Sequence, residues 1–563
     1  MQRRTSKREM GCMLMVMCLV PALLAGCAHL PQSARSIDRG GAGMVGRCAE
    51  FFALLDDRTK TVGVRDAGEF RVAGYPYLRV NRFLASFRDD VENASQFDAW
   101  VARLQTLDRV ARRYEMANLD PSERGSLQRR TGSGNLHEEV LQCGDVLRSA
   151  DFADAQQRNR LKRTVHVPDE YLAWRRAAGL YPLPLLFLAE GVKKLHAKSR
   201  QDFSNSRPQN PLLIRYFPVE TVDGRPSPRL LIGNAKQDAL GIPIYAPATI
   251  SELFAWYAPI WEVEDRGNYD HIGVPEWTQQ GNLRINSAAA RTYRRLSYTR
   301  FNGRVLAQLN YIIWFPERPR QSFLDLVGGH MDGINYRVTL GLDGQPLLYE
   351  TVHNCGCYLK FYPTSRLQPR TPPECTEPPL ILPAPAFDAT HQRMVISMES
   401  GSHYVRHLYT VPRSSGSHRE NPRRASLRPE TESRGSRDSR MPVAVPHSDP
   451  EFSGRTEKHP SPTFGQSPGD DRRRYELSDY DELRSLPTPG DARRSMFDER
   501  GMVPGTERLE RFILWSTGVA NPGAMRQWGR HAVAFMGERH LDDPDLMEKL
   551  FTYADDFLAE DER

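Results

Sequence analysis

Apolar positions recur at helical spacing through the first part of this chain. Over 97–114 they fall every three or four residues with charged residues between them, which predicts an amphipathic helix of about five turns. The same spacing predicts helices over 137–149 and 169–180. Prolines interrupt the pattern at 182–184, and a further helix that reaches His196 is predicted after them. The chain up to about residue 200 is therefore predicted to be mainly helical.

Beyond residue 211 the apolar residues gather in short runs typical of β-strands. We predict strands over 212–217, 229–233, 304–315, 336–340 and 346–352. The last two runs flank Asp343 and Gly344, a dipeptide that favours a tight hairpin turn. Thr249 and Glu252 have capping-box spacing and predict a short helix before Pro259. Four tryptophans of this part are expected in the core or at an interface: Trp256, Trp261, Trp277 and Trp314.

The whole pattern predicts an α+β fold, with a helical N-terminal domain, a mainly antiparallel β domain and a C-terminal helical extension. Between about 411 and 474 the chain is rich in Ser, Arg, Pro and Gly. Such a segment buries too little apolar surface to offset its ordering entropy, so we predict disorder there. Helices are predicted again at 509–515, at 523–535 and after Asp543, packing back onto the β domain. The predicted boundaries are 1–26 for a signal peptide, 27–46 for a lipidated anchor and flexible tether, 47–200 for the helical domain, 211–410 for the β-rich mixed domain, 411–474 for the disordered linker and 475–563 for the C-terminal helical region.

The N-terminus has the layout of an export signal. Basic residues over 3–8 precede an apolar run over 10–24, and Leu24-Ala25-Gly26-Cys27 closes that run. This segment resembles the type II signal peptide of bacterial lipoproteins. The resemblance implies that the signal is cut before Cys27 and that Cys27 is acylated with fatty acids such as palmitate. Because Ala28 and not an aspartate follows, it also implies a place at the outer membrane, facing the periplasm.

Two other interpretations of the N-terminus fit less well. An uncleaved membrane span needs roughly 20 apolar residues, whereas this run is shorter and contains Pro21. Arg3 and Arg4 form the pair of a twin-arginine signal, but polar residues follow where such signals carry an apolar pair. Several acyl chains on one cysteine would hold the protein firmly on the bilayer, because one chain alone gives only marginal binding.

The charge of the chain is nearly balanced. It has 563 residues, with 76 Lys and Arg against 70 Asp and Glu, for a net charge of +6. A nucleic-acid binder would carry a concentrated basic stripe, so this balance argues against nucleic acid as a partner. Apolar residues make up 39% of the chain, which is enough for globular cores. The expected partners are the lipid bilayer and an envelope protein or polysaccharide.

Five cysteines remain once the signal and the anchor cysteine are set aside. In an oxidising periplasm, spaced cysteines usually pair. Their positions divide them into an N-terminal pair and a C-terminal trio. We therefore predict a Cys48–Cys143 disulfide and a second disulfide between Cys375 and either Cys355 or Cys357.

The sharpest chemical pattern is His353-Asn354-Cys355-Gly356-Cys357. If the preceding strand continues, alternate residues share one side, which places an imidazole and two sulfurs together. We expect a structural disulfide and no cofactor here. The alternatives are a zinc or copper site built on His353, Cys355 and Cys357, and a reduced, redox-labile thiol.

A second pattern is His330-Met331-Asp332, upstream of the predicted hairpin. An H-x-D pair is half of the facial triad of non-heme iron oxygenases, and His391, His403 or His407 would be the third ligand. The ordinary explanation is that Gly-Gly and Asp-Gly dipeptides make turns here and that such pairs arise by chance. The candidate catalytic residues are His330, Asp332 and His353.

The central segment also resembles a known family over about 60 residues. Arg300-Phe301-Asn302-Gly303-Arg304, then Tyr311-Ile312-Ile313-Trp314-Phe315-Pro316, and Gly329-His330 before a strand are similar to necrosis-inducing cytolysin-like proteins. Those proteins are β-sandwiches that bind a metal at a Gly-His-x-His-Asp-Trp-Glu motif. This chain lacks the Trp and Glu of that motif, so the resemblance implies an antiparallel sandwich only, without metal binding or toxicity.

Two functions follow from these patterns. The first is a membrane-anchored envelope lipoprotein with a non-enzymatic binding or structural role. The second is a periplasmic, metal-dependent hydrolase that uses a cleft lined by His330, Asp332 and His353. Convergence of these side chains in an open pocket would favour the enzyme, whereas separated or fully packed side chains favour the binding protein.

Overall fold

A computed structural model describes residues 43–204, 212–220, 222, 224–322, 325–371, 376–413 and 470–555. The predicted signal peptide, the anchor at Cys27, most of the predicted linker and Cys375 lie outside these residues. Helices and strands both contribute a large share of the described chain, so the fold is of the α+β class.

Eight helices lie within the described residues 43–204. They are α1 (Met44–Val62), α2 (Arg82–Ala85), α3 (Ala94–Asn118), α4 (Pro121–Thr131), α5 (Leu136–Asp151), α6 (Ala155–Thr164), α7 (Ala173–Ala178) and α8 (Pro182–Ser204). A hairpin of β1 (Phe70–Val72) and β2 (Tyr75–Val80) lies among them. The helices predicted over 97–114 and 137–149 are confirmed as parts of α3 and α5.

Helix α3 shows why its sequence folds locally. The Asn93 side chain accepts a hydrogen bond from the Gln96 backbone amide, and the Gln96 side chain accepts one from the Asn93 backbone amide. The helix therefore begins with a capping box. Trp100 and Leu104 lie on its buried face. Cys48 of α1 and Cys143 of α5 are joined by a disulfide that ties two helices 95 residues apart in sequence.

One large mixed sheet dominates the rest of the chain. It has eleven strands in the spatial order β15, β13, β12, β11, β10, β9, β18, β3, β6, β16 and β17. Their bounds are β3 (Leu213–Pro218), β6 (Ile260–Glu264), β9 (Ala290–Phe301), β10 (Arg304–Arg318), β11 (Gly329–Leu340), β12 (Pro346–His353), β13 (Lys360–Pro363), β15 (Leu380–Ile381), β16 (Gln392–Met398), β17 (Val405–Pro412) and β18 (Asp470–Asp479). Six of its ten strand pairs are antiparallel and four are parallel.

The sheet curls until its two edges approach each other. Lys360 of β13, near one edge, donates a hydrogen bond from Nζ to the carbonyl of Val405 on β17, at the other edge. Tyr216, Trp261 and Tyr336 project into the enclosed space and belong to one continuous apolar core. The resemblance implied a sandwich of antiparallel sheets, and the chain instead surrounds this core with a single curled sheet.

Short elements complete the described fold. They are β4 (Lys236–Gln237), β5 (Pro243–Ile244), β7 (Val274–Trp277), β8 (Leu283–Asn286), β14 (Leu367–Pro369), β19 (Leu486–Pro487), β20 (Arg493–Arg494), β21 (Phe551–Tyr553), α9 (Pro228–Gly233), α10 (Pro247–Tyr257), α11 (Glu510–Ile513), α12 (Leu546–Leu550) and 3-10 turns at Asn268–Asp270, Tyr480–Arg484 and Leu514–Thr517. The hairpin predicted at Asp343 and Gly344 is confirmed, since β11 and β12 pair across it.

Several predicted elements are wrong. The strand predicted over 229–233 is helix α9, because Pro228 at its first position presets a helical backbone. Helix α10 begins at Pro247 and not at the Thr249 capping box. Pro182 starts helix α8, where we predicted an interruption, and the helix predicted over 169–180 shortens to α7.

The boundaries also differ from those predicted. Helix α1 begins at Met44, inside the predicted tether, and β18 begins at Asp470, inside the predicted linker. The helices predicted at 509–515 and after Asp543 are present in shortened form, as α11 with the 3-10 turn at Leu514–Thr517 and as α12. The segment 523–535 forms no helix, and the chain after Asp479 is otherwise mostly irregular. Its apolar residues cover the convex face of the sheet, where Met525, Trp528 and Val533 join a second core with Trp314.

Among the described helices, none combines the length and the apolar character needed to cross a bilayer.

Candidate functional site

Asp332 is the centre of a buried cluster at one end of the sheet. It lies on β11 opposite Phe315 of β10. Its Oδ1 atom is 3.4 Å from Nδ1 of His353, the last residue of β12, and its Oδ2 atom is 2.8 Å from Nδ1 of His403, in the loop between β16 and β17. All three side chains are at most 3% exposed. The hairpin therefore positions Asp332 and His353, and the curl of the sheet adds His403.

His403 is held between two carboxylates. Its Nε2 atom lies 3.2 Å from the Tyr269 carbonyl and 3.5 Å from Oδ1 of Asp270. Asp270 is itself fixed by the Ser400 hydroxyl and the Gly401 amide, each 2.7 Å away. The imidazole stacks flat on the Phe315 ring with centroids 3.9 Å apart. Such full engagement is typical of a structural histidine that closes a fold.

Burial and charge set different protonation states for the three groups. Burial alone would lower the pKa of His403, but hydrogen bonds with Asp270 and Asp332 outweigh it and raise the pKa. Burial alone would raise the pKa of Asp332, yet the two neighbouring imidazoles hold that pKa well below its usual range. Burial lowers the pKa of His353. The surroundings therefore favour the ionised form of Asp332, the protonated form of His403 and the neutral form of His353.

His353 is arranged differently from His403. Its Nδ1–H points to Asp332, and within the described part of the chain its buried Nε2 atom finds no hydrogen-bond partner. The rings of Tyr358 and Tyr404 pack edge-on against it, with centroids 5.0 and 5.6 Å away. Arg318 lies over both tyrosine rings and bonds the Tyr404 hydroxyl at 3.3 Å. An Asp–His pair with Nε2 uncommitted has the geometry of a general base.

Backbone strain concentrates around this cluster. Met331, Tyr358 and His403 adopt φ values of +52°, +61° and +53°. Non-glycine residues seldom occupy this left-handed region, and each one costs of order 1–3 kcal/mol. Strained residues held by their surroundings occur preferentially at functional sites, so the observation favours a role for this end of the sheet.

The other predicted ligands do not join the cluster. The side chain of His330 is exposed and bonds the Leu283 carbonyl at 2.8 Å. Regular strand alternation would put it on the same side as Asp332, but the left-handed backbone of Met331 between them, with φ of +52°, interrupts that alternation. His391 is 79% exposed at a turn, and His407 lies on β17 beside Phe203. Of the predicted catalytic set, the fold brings Asp332 and His353 together and separates His330. Asp270 was not foreseen, since no local signal links it to a loop 130 residues away.

Cys355 and Cys357 lie in the turn between β12 and β13. The Cys357 amide is 3.4 Å from the Cys355 sulfur, and neither thiol forms a disulfide with another described residue. Their predicted partner, Cys375, is not among the described residues. A hydrogen bond from Cys355 and burial raise the pKa of Cys357. A thiol held protonated in this way is a weak nucleophile and a poor metal ligand.

A small cavity of about 70 Å³ lies beside these thiols. Cys357, Tyr358 and Tyr404 form one wall, and Lys360 and His196 form part of another. Burial lowers the pKa of Lys360 to about 8 and that of His196 to about 4. The volume holds a few waters but is well below the roughly 300–1,000 Å³ of ordinary ligand pockets. In the described residues, no group of three or more His, Cys, Asp or Glu side chains has the arrangement of a metal site.

A larger groove lies on the convex face of the sheet. It encloses about 700 Å³ across β18, β3, β6, β16 and β17. Strand alternation sends Tyr216 and Trp261 inward to the core, so Arg215 and Glu262 project from the opposite face. Six arginines line this arginine groove, as follows: Arg215, Arg393, Arg413, Arg472, Arg473 and Arg474.

Positive charge dominates the arginine groove. Glu220 is the one acidic residue among its described lining, and Glu262 below it is engaged by Arg215 at 2.7 Å and by the Tyr409 hydroxyl at 2.6 Å. Burial, reinforced at longer range by Arg474, lowers the pKa of Arg393. Planar guanidinium groups on a concave surface match carboxylate and phosphate groups. The sequence signal for this groove is the Arg472-Arg473-Arg474 run, which lies inside the predicted linker 411–474.

No protein-family model, curated protein or solved structure matches this chain. The function is therefore inferred from the geometry and chemistry of the residues of this chain.

Proposed function

We propose that this protein is a lipid-anchored lipoprotein of the bacterial envelope that binds an acidic polysaccharide in its arginine groove. Cys27 would carry the acyl chains, and the folded body would face the periplasm from the outer membrane. The role is binding and not catalysis. The observation that carries the binding proposal is the set of six arginines against one acidic residue along a groove of about 700 Å³.

The chemistry of the groove supports an acidic polymer as the ligand. Arg393 and Arg413 already donate to backbone carbonyls and Arg215 donates to Glu262. The groove therefore attracts an anion mainly through its summed positive charge, and several guanidinium groups along one groove favour a ligand with repeated negative charges. Phe217 and Tyr409 add aromatic surface between the arginines. The groove also crosses five strands, which suits an extended chain better than a compact metabolite.

The compartment is supported by the N-terminal signal and by the Cys48–Cys143 disulfide. Disulfides persist in oxidising compartments and are rare in the cytosol. We also propose that the helices before residue 205 form an N-terminal domain and that the curled sheet, with the irregular C-terminal chain on its convex face, forms a second domain.

The anchor is tested by growth with labelled palmitate. We expect label on the wild-type chain and on Cys18→Ala, but none on Cys27→Ala, because Cys18 would leave with the signal. The mature wild-type mass should begin at residue 27 with acyl chains added. Label on the Cys27→Ala chain, or an uncut N-terminus, would contradict the anchor.

The groove is tested by binding to immobilised dextran sulfate at moderate salt, with neutral dextran as the reference. Arg472→Gln with Arg474→Gln removes two exposed charges from the groove, and we expect it to weaken binding to dextran sulfate several-fold. Arg129→Gln with Arg130→Gln removes two exposed charges from the end of α4 and is the matched control. Equal loss in both variants would mean a general charge effect and would reject the groove.

The second candidate is an envelope enzyme, and the uncommitted Nε2 atom of His353 is the observation that favours it. Asp332 would orient the imidazole, and Tyr358 and Tyr404 would have to move to admit a substrate. Metal and intact-mass analysis of the mature protein, with and without reductant, tests the metal-dependent form. A stoichiometric metal together with hydrolysis of ester or phosphoester substrates that is lost in His353→Gln would favour this candidate over the binding protein.

A further inference from the structure

Exposed apolar side chains from three separate stretches meet at one place on the surface. They are Trp174 and Leu180 from the α7 segment, Leu326 from the loop before β11, and Phe512 and Ile513 from α11. We call these five residues the apolar patch. Their exposed fractions run from 38% for Leu326 to 68% for Phe512. Large apolar side chains this exposed, brought together, mark an interaction surface.

Direct contacts hold the three stretches together. The Leu172 amide donates to the Gly518 carbonyl at 2.8 Å, and the Glu510 amide donates to the Leu326 carbonyl at 3.0 Å. Gly179 packs so closely against Ser516 that a β-carbon there would lie 2.7 Å from the serine β-carbon. Trp174 meets Trp515 edge to face, with ring centroids 5.8 Å apart. The patch is therefore a built surface and not a set of isolated side chains.

Arginines surround the apolar patch. Arg175 stacks over the Trp174 ring at 5.4 Å and Arg511 over the Phe512 ring at 4.9 Å. Two nearby acidic groups are already engaged. Glu538 pairs with Arg176 at 2.9 Å, and the Asp325 carboxylate accepts hydrogen bonds from three backbone amides.

We propose that the apolar patch inserts into the headgroup region of the bilayer that carries the anchor. Tryptophan and phenylalanine flanked by arginine are the residues that bind a membrane interface, where rings enter the acyl boundary and cations remain with anionic headgroups. The proposal rests on the lipid anchor under Proposed function. The predicted tether is short, since a coil of about 16 residues spans only about 20 Å, so the anchor keeps the folded body close to the lipid.

The tryptophans provide a selective test. All eight lie within the described residues, and six of them are buried. The other two, Trp174 and Trp515, belong to the patch or its rim. Quenching of tryptophan emission by lipids brominated near the headgroup therefore reports on this surface alone.

The acylated full-length mature protein is reconstituted in vesicles of phosphatidylethanolamine and phosphatidylglycerol, with or without brominated chains. We expect brominated lipid to reduce the emission of the wild-type protein. Phe512→Gln with Ile513→Gln should remove most of that loss. Leu230→Gln with Ile244→Gln exchanges two residues that are each 56% exposed elsewhere and should leave the loss unchanged.

Hydrogen exchange gives a second measurement that does not depend on tryptophan. The segments 172–181 and 509–518 should exchange more slowly in vesicles than in detergent, and the control segment 121–131 should not change. No quenching and no protection in a protein that still floats with the vesicles would overturn the patch while leaving the anchor intact. A protein that does not float would instead reject the anchor of Proposed function.

Discussion

The described chain buries several groups of charged side chains, and two of them are built from different chemistry. Among the helices, Arg79 and Arg112 are fully buried and share Asp108 and Glu115, with Arg79 Nη2 2.7 Å from Glu115 Oε1. Under the sheet, Asp332 is shared by two histidines. Arginine stays charged at any pH a protein meets, whereas histidine changes charge near neutrality.

The consequence is a different response to acid. Burial alone would raise the pKa of Glu115, but Arg79, Arg112 and Arg71 lower it to about 2. A lowered carboxyl pKa stabilises the fold above the unfolded value near 4.5, and this stabilisation is lost only as the pH falls toward 2. The two histidines of the sheet cluster respond in opposite ways. The lowered pKa of His353 makes its stabilisation fall as the pH drops below the unfolded value near 6.5, whereas the raised pKa of His403 keeps its stabilisation in acid and loses it as the pH rises. In weak acid we therefore expect the helical network to keep its stabilisation while the sheet loses only the part that depends on a neutral His353.

The largest expected effect comes from breaking the helical network. Glu115→Gln leaves Arg79 and Arg112 buried without their shared carboxylate, and we expect a loss of about 3–5 kcal/mol in the free energy of unfolding. Urea unfolding at pH 7 measures it. Glu92→Gln, at an exposed position, is the control and should change stability by less than about 0.5 kcal/mol. A loss below about 1 kcal/mol for Glu115→Gln would mean that water enters the network.

The disulfide comes next. Cys48→Ala with Cys143→Ala opens a crosslink between residues 95 apart, and we expect a loss of about 2–4 kcal/mol, mainly in the helical region. Native-state hydrogen exchange resolves the region, since α1 and α5 should lose protection before β10 and β11. The matched control is Glu50→Ala with Gln142→Ala, which changes exposed positions of the same two helices and leaves the crosslink intact. Uniform loss of protection would show that the two regions unfold as one unit.

The sheet cluster should be less sensitive to a conservative change. Asp332→Asn keeps the shape but removes the buried negative charge that faces both His353 and His403, and we expect a loss of about 1.5–3 kcal/mol in the free energy of unfolding. Asp145→Asn removes a carboxylate that is 62% exposed and should cost at most about 1 kcal/mol. Urea unfolding of the two variants side by side measures the difference. Equal small losses would show that the cluster contributes nothing beyond a surface pair.

The smallest predicted effect is a change in how the free energy of unfolding depends on pH. Burial lowers the pKa of His531 to about 3 in the folded chain, compared with about 6.5 in the unfolded chain. Between these values the unfolded chain binds a proton on His531 and the folded chain does not. Stability from this group is complete above about pH 6.5 and falls below it, by about 1.4 kcal/mol at pH 5.5. His531→Gln should reduce the loss of stability between pH 7.5 and 5.5 by that amount. His391→Gln, an exposed control, should not alter the slope.

Where local spacing decides an element, the sequence predicts it well. Helix α3 has both an apolar stripe and a capping box, and the β11–β12 hairpin has a turn dipeptide between two apolar runs. The segment 523–535 has apolar residues, but it has no cap or turn signal that agrees with their spacing. Trp528 donates to Asn310 at 3.1 Å and the Arg526 amide bonds the Asn354 carbonyl at 2.9 Å, so contacts with the sheet fix its irregular backbone.

In the candidate site, too, the sequence indicated some residues and not others. Asp332 and His353 face each other because a hairpin joins their strands, and the sequence indicated both. Asp270, which completes the surroundings of His403, comes from a distant 3-10 turn. The arginine groove likewise combines strands that are far apart in the chain. Strand β18, which begins at Asp470, pairs between β3 and β9, which begin at Leu213 and Ala290.

The sequence by itself determined which residues share one face of a helix or strand and where the tight turns fall, because side-chain spacing and turn chemistry are local. The tertiary structure decided which faces became neighbours. The curl of the sheet brought Asp332 to His403 across 71 residues and placed arginines from β3, β16, β18 and the end of β17 along one groove. Strand pairing and curvature depend on the packing of the whole core, and no short stretch of sequence contains that information.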